Sequence, residues 1–138
     1  MFIPRKVKYR KVHRGDQIKG KATQKIELSF GIFGLKALEA GWITSRQLEA
    51  ARRAITGHLQ RKGKVWIRIF PDKSVTVKGN EVRMGGGKGA VDHYVAPIKP
   101  GTIMFELDGV DAKEAGRALQ LAGYKLPVAT RIISKEQR

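Results

Sequence analysis

TSRQLEAARRAITGHLQRKGKVWIRIFPDK, residues 44–73, changes its period part-way along. In the first half Leu48, Ala51, Ile55 and Leu59 recur at the spacing of one helical face, and Thr44 with Gln47 makes a capping-box start. The opposite face carries Arg46, Arg53 and Arg61, with Arg52 and Lys62 nearer the boundary, and Gly63 closes the helix. Burying Ile55 is worth about 1.5–3 kcal/mol, whereas an exposed arginine gains almost nothing from intramolecular pairing. The apolar stripe therefore fixes the helix and leaves the arginines to a partner. In the second half Val65, Ile67 and Ile69 alternate with Trp66, Arg68 and Phe70 up to the turn Pro71-Asp72-Lys73, which is the pattern of a strand with both faces occupied.

The flanking segments extend this mixture. Residues 25–43 alternate weakly around Gly31, Gly34 and Gly41 and read as short strands joined by tight turns. Residues 74–78, 93–98 and 102–107 continue the strand pattern. A second helix starts at Asp111 with Glu114 three residues on, buries Ala115, Ala118, Leu119 and Ala122, and ends at Gly123 with Pro127 beyond. Its polar face, Lys113, Arg117 and Gln120, is thin in charge. These elements predict an α+β fold: one antiparallel β-sheet with two helices packed on it. Residues 1–138 then form a single domain, with 1–21 a basic arm and 22–138 the body.

The charge restricts the partner. The chain has 28 Lys and Arg against 12 Asp and Glu, a net +16, and such self-repulsion calls for a polyanion. Residues 100–138 hold six basic and five acidic residues, so residues 1–99 carry net +15 and meet that polyanion. The arm alone has eight Lys or Arg against Asp16 and too few apolar residues to offset its ordering entropy, so it takes its shape from the anion it touches. An anionic membrane is disfavoured, because the longest charge-free apolar stretch, residues 28–35, is far too short to span and is broken by two glycines. The basic start is followed by no apolar block, so no secretory signal is expected. With no cysteine, disulfides and thiolate zinc sites are excluded, and His13, His58 and His93 lack ligand spacing. Neither a cofactor nor a small-molecule substrate is expected.

EVRMGGGKGAVDHY, residues 81–94, gathers four glycines around one lysine. A phosphate-binding P-loop would need glycine where Val82 stands and a hydroxyl residue where Gly89 stands. A dinucleotide motif at Gly85, Gly87 and Ala90 would need a following helix, but residues 91–98 read as strand. The stretch reads instead as a loop excursion over 81–92, with a plain flexible glycine turn as the simplest reading and close backbone approach to a partner as the other that its glycines allow.

KYRKVHRG at 8–15, FGIFGLKALEAGWITSRQLEAARRAI at 30–55, KVWIRIFPDKSVT at 64–76, the glycine stretch from 81 to 101 and YKLPVATRII at 124–133 together resemble bacterial large-subunit ribosomal protein sixteen, the counterpart of archaeal and eukaryotic ribosomal protein ten-e. The resemblance covers essentially the whole chain. It implies an α/β-hammerhead type of α+β domain, bound to large-subunit rRNA beside neighbouring ribosomal proteins, with no catalytic residues. It further implies that the arm (Arg5, Lys6, Lys8, Arg10, Lys11, His13, Arg14) and the first helix (Arg46, Arg52, Arg53) bind rRNA. The loop Arg83, Met84, Gly85, Gly86, Gly87, Lys88 and Gly89 would then face A-site and P-site tRNA near the peptidyl-transferase centre. The family loop usually reads RMGKGKG, so Gly86 here replaces its first lysine and weakens the loop's electrostatic grip. The expected setting is a cytoplasmic ribosome, with an organellar one as alternative. The competing functions are a nucleotide-dependent RNA-modifying enzyme using the glycine loop, and a free basic factor that visits RNA transiently.

Overall fold

The computed structural model describes residues 3, 20–22, 26–77 and 90–135. The arm cations Arg5 to Arg14 and the loop Arg83 to Gly89 lie outside the described residues. Chain order is β1 (Phe33–Ala37), β2 (Gly41–Thr44), α1 (Ser45–His58), β3 (Lys64–Ile67), β4 (Lys73–Val77), β5 (Ala90–Ile98), β6 (Ile103–Asp108), α2 (Ala112–Gly123) and β7 (Thr130–Ser134).

The α+β class is as expected, but the strands divide into two antiparallel sheets rather than one, with orders β3-β6-β1-β7 and β2-β5-β4. The chain passes between the sheets four times, and two of these crossings, β1 to β2 and β5 to β6, meet at one corner. Ala37, which ends β1, donates its N–H to Thr102 O at 2.9 Å and accepts from Gly101 N–H at 2.8 Å. Gly101 sits at φ +98°, a conformation that side chains resist, and this turns the chain from β5 into β6. β7, which weak alternation concealed, pairs with β1 along its whole length.

Leu48, Ala51 and Ile55 of α1 and Ala115, Ala118, Leu119 and Ala122 of α2 meet Leu35, Phe105 and Leu107 in one core, with α2 on β1 and β7 of the four-stranded sheet and α1 against α2 and against β2 and β5 of the three-stranded one. The alanines of α2 let the helices approach closely, and His58 Nε2 lies 3.2 Å from Glu114 Oε2 across the helix pair. The start of α1 is as the sequence indicates: Thr44 Oγ1 accepts the Gln47 N–H at 3.1 Å and Gln47 Oε1 accepts the Thr44 N–H at 2.9 Å.

The end of α1 differs from the expectation. The helix stops at His58, so Arg61 is not on its outer face. Arg61 N–H bonds Thr56 O at 3.0 Å and Gln60 N–H bonds Gly57 O at 3.3 Å, the two bonds of a Schellman motif. The residue that takes the left-handed position is Gln60, at φ 51°, followed by Arg61 at φ 65°, where glycine is the usual choice. β3 is also shorter than the 65–70 alternation suggests: it spans Lys64–Ile67, Arg68 adds one more N–H bond to Met104 O, and Ile69 and Phe70 lie beyond it. Its two faces are nonetheless both used: Val65 and Ile67 pack toward the core, and Trp66 and Arg68 face the other way.

Candidate nucleic-acid interface

On α1, burial separates the two faces. Leu48, Ala51 and Ile55 are fully buried, whereas the Arg53 side chain is 76% exposed and Arg52 36%. Arg46 is exposed as well and pairs with no carboxylate among the described residues. The expectation that these arginines stand free needs correction for two of them. Glu49 Oε1 receives Arg52 Nη2 at 2.5 Å and Arg53 Nε at 3.1 Å, and Arg52 Nε donates to Glu49 Oε2 at 3.1 Å. The hydrogen bond from Arg52 holds the Glu49 carboxyl below its ordinary value; partial burial opposes this, and the charges of both arginines and the bond from Arg53 add to it. The same bond raises Arg52. Each guanidinium has five donors, so one shared carboxylate orients the pair and leaves N–H groups on both for phosphate oxygens.

A second polar cluster lies on the far face of the four-stranded sheet, and the residue pattern alone does not reveal it. Glu106, fully buried in β6, accepts at Oε1 the consecutive N–H groups of Ser29, Phe30 and Gly31 at 2.8, 2.9 and 3.0 Å. Its Oε2 pairs with Arg68, whose side chain is 15% exposed. Burial pushes the carboxyl up, but the bonds from Gly31, Phe30, Arg68 and Ser29 outweigh it and hold the group below its ordinary value. Gly31 is required here, since a Cβ would come within 2.7 Å of Leu107 O. The available signal was an acid in the otherwise apolar run IMFEL, which needs buried partners. The exposed Phe30 ring stacks on Trp66 with centroids 6.0 Å apart, and the Arg68 guanidinium lies 5.1 Å from its centre. Glu106 thus ties down the segment that brings the N-terminal region into β1.

In the three-stranded sheet β4 and β5 pair from Lys73↔Val95 to Val77↔Ala90, and this last pair brackets residues 78–89, the glycine stretch. Near its other end Lys73 Nζ lies 4.6 Å from the Trp42 ring centre, a cation–π contact. Among the described residues no group of three or more His, Cys, Asp or Glu is placed to hold a metal ion.

A helix with one apolar and one arginine face beside a glycine-bracketing hairpin accords with nucleic-acid binding, and comparison with known proteins decides the family. The family model described as ribosomal protein L16p/L10e matches residues 4–133. The chain belongs to that family. Similar L16p/L10e relatives named large ribosomal subunit protein uL16c come from Phaeodactylum tricornutum, 57% identical over 136 residues, and Emiliania huxleyi, 52% identical over 136 residues; in each case the alignment covers 99% of this chain and 98% of the relative. The one from Trieres chinensis is 56% identical over 135 residues. As an L16p/L10e protein the chain is a structural component of the ribosome and not an enzyme, with rRNA and ribosomal proteins as its partners. The L16p/L10e match takes in both the arm and the glycine stretch. The expectation of a cytoplasmic ribosome finds no support in these relatives, which carry the uL16c name.

Proposed function

We propose that this chain holds large-subunit rRNA with two elements: the basic arm, through Arg5, Lys6, Lys8, Arg10, Lys11, His13 and Arg14, and the outer face of α1, through Arg46, Arg52 and Arg53. The observation that carries the reading is the division of α1, whose apolar residues are fully buried while Arg53 is 76% exposed and, with Arg52, oriented by Glu49. Cations that contribute little to folding are available to neutralise phosphates and release counterions. The loop of Arg83, Met84, Gly85, Gly86, Gly87, Lys88 and Gly89, bracketed by the Val77↔Ala90 pair, meets A-site and P-site tRNA. Its glycines admit close backbone approach, and its two cations supply the charge. The uL16c names of the relatives favour a chloroplast-type ribosome as the setting.

Replacing Arg46 and Arg53 with alanine tests the rRNA half. Retention in large subunits through a high-salt wash should fall, and the log–log salt slope of rRNA binding should flatten by about one unit for each phosphate no longer neutralised. Arg83→Ala with Lys88→Ala tests the tRNA half: subunit incorporation should be normal, with A-site tRNA binding weakened by about 1–3 kcal/mol. Unchanged tRNA affinity in such ribosomes would show the loop to be only a turn between strands.

A further inference from the structure

Between the end of α1 and β3 lies a cleft of about 260 Å³ lined by Arg52, Thr56, Arg61, Lys62, Val65 and Ile67. Three features of it point to a ligand. One is chemical: three cations and two aliphatic side chains line the same cleft, and Arg61 and Lys62 pair with no carboxylate among the described residues. Another is conformational, because the chain enters the cleft through two consecutive left-handed residues, Gln60 at φ 51° and Arg61 at φ 65°, a conformation that costs non-glycine residues and is concentrated at functional sites. Gly63, at φ +76°, completes the turn where a Cβ would sit 2.6 Å from Asp108 O.

The last feature is the backbone. Among the described residues β3 is an edge strand, paired only with β6. Arg68 N–H bonds Met104 O, and the register Lys64↔Asp108, Trp66↔Glu106 continues that pair along the ladder. Antiparallel pairing alternates, so the N–H and C=O groups of Val65 and Ile67 point away from β6, toward the open edge. The cleft therefore combines aliphatic side chains, outward backbone donors and acceptors, and cations.

We propose that this cleft receives one unstacked nucleotide of an RNA strand, its base against Val65 and Ile67 and hydrogen-bonded to their backbone, its phosphate between Arg61 and Lys62. This deepens the rRNA-binding reading and rests on it. Recognition of RNA by splayed-out bases suits such a site, since a base edge needs donors and acceptors and its phosphate needs charge. The volume falls below the roughly 300–1,000 Å³ typical of small-molecule sites, which fits one nucleotide of a strand better than a free ligand. An acidic peptide added as a strand fits less well, because β3 offers only the four residues Lys64–Ile67.

The test uses the full chain reconstituted into large subunits stripped of it, with the photoreactive residue p-benzoylphenylalanine at position 56, at position 62 or, as reference, at position 53. Positions 56 and 62 should crosslink to the same single unpaired rRNA nucleotide. Adding Arg61→Ala to the position-56 chain should cut that yield about tenfold, the scale of one charge-assisted hydrogen bond, while Arg61→Ala in the position-53 chain leaves its crosslink unchanged. Crosslinks from position 56 that spread along paired rRNA, or that land on a neighbouring ribosomal protein, would overturn the proposal. If position 53 reaches RNA and positions 56 and 62 do not, the cleft assignment alone fails. If none reaches RNA, the rRNA-binding reading of α1 fails with it.

Discussion

Glu106→Gln should be among the most damaging single-atom exchanges in this protein. The native carboxylate satisfies three backbone N–H groups at 2.8–3.0 Å and Arg68, with no exposure of its own. The amide keeps one oxygen for the backbone donors but turns its NH₂ toward Arg68, donor against donor, and leaves a guanidinium that is only 15% exposed without a counter-charge. Removing one partner of such a buried pair costs about 3–5 kcal/mol, against about 5–15 kcal/mol for the stability of a typical domain. Arg68→Met should cost less, about 1.5–3 kcal/mol, because the carboxylate retains its three backbone donors. The double variant should be less destabilised than the sum of the singles by at least about 1 kcal/mol. Urea unfolding at pH 7 followed by circular dichroism measures all three, urea being chosen because guanidinium would screen the pair. A cost below about 1 kcal/mol for Glu106→Gln, or strict additivity, would refute the argument. The pH dependence gives an independent check. A carboxyl with a lowered native pKa contributes its full stability above its unfolded value, about 4.3, and loses it as pH falls through the native one. The gap between wild type and Glu106→Gln should stay constant from pH 7 to 5 and close at lower pH.

Other expectations concern α1. Ile55→Ala should cost about 2–5 kcal/mol in urea unfolding and leave the salt slope of rRNA binding by the folded fraction unchanged; equal stability losses for this variant and for Arg46→Ala with Arg53→Ala would mean that the helix faces are misassigned. Gln60→Gly should stabilise the chain by about 1 kcal/mol by relieving the left-handed residue, read as a higher urea midpoint. Glu49→Gln should tighten rRNA binding at low salt by removing the anion between Arg52 and Arg53, and filter binding that shows no gain would indicate that Glu49 matters more as an orienting group than as a competing charge.

What the sequence displays and what it hides divide along physical lines. The faces and caps of α1 and α2 are local, set by residues three and four apart, and the structure agrees at Thr44, Leu48, Ile55, Asp111 and Leu119. The split into two sheets is not local. Alternation in residues 33–37 marks a strand but does not say that its neighbours are residues 103–108 and 130–134. The end of α1 differs because Gly63 is the expected terminator by composition, while the Schellman bonds form three residues earlier on Gln60. Of the candidate interface, the arginines of α1 are legible as an outward face. Their tether is not, since Glu49 in the pattern looks like one more polar residue and only the side-chain geometry shows it bonded to both Arg52 and Arg53. Glu106 is hidden for a related reason: its partners are backbone N–H groups some 75 residues away, and backbone leaves no mark on composition.

The position of β1 has a consequence for how the protein is made. Its neighbours on both sides, β6 and β7, come from the last third of the chain, and Phe33 finds Ser134 only when the final strand is available. At synthesis rates of about 5–20 residues per second, roughly 5–20 s pass between the emergence of the two strands. By the last third of that interval the first 99 residues, with nearly all of the net charge, are present while the four-stranded sheet still cannot close. Pairings so distant in sequence are also slow to form once both partners exist. Closure of the sheet and capture by the nearest polyanion therefore compete in time, and for a ribosomal protein the nearest polyanion is the ribosome that is still synthesising it.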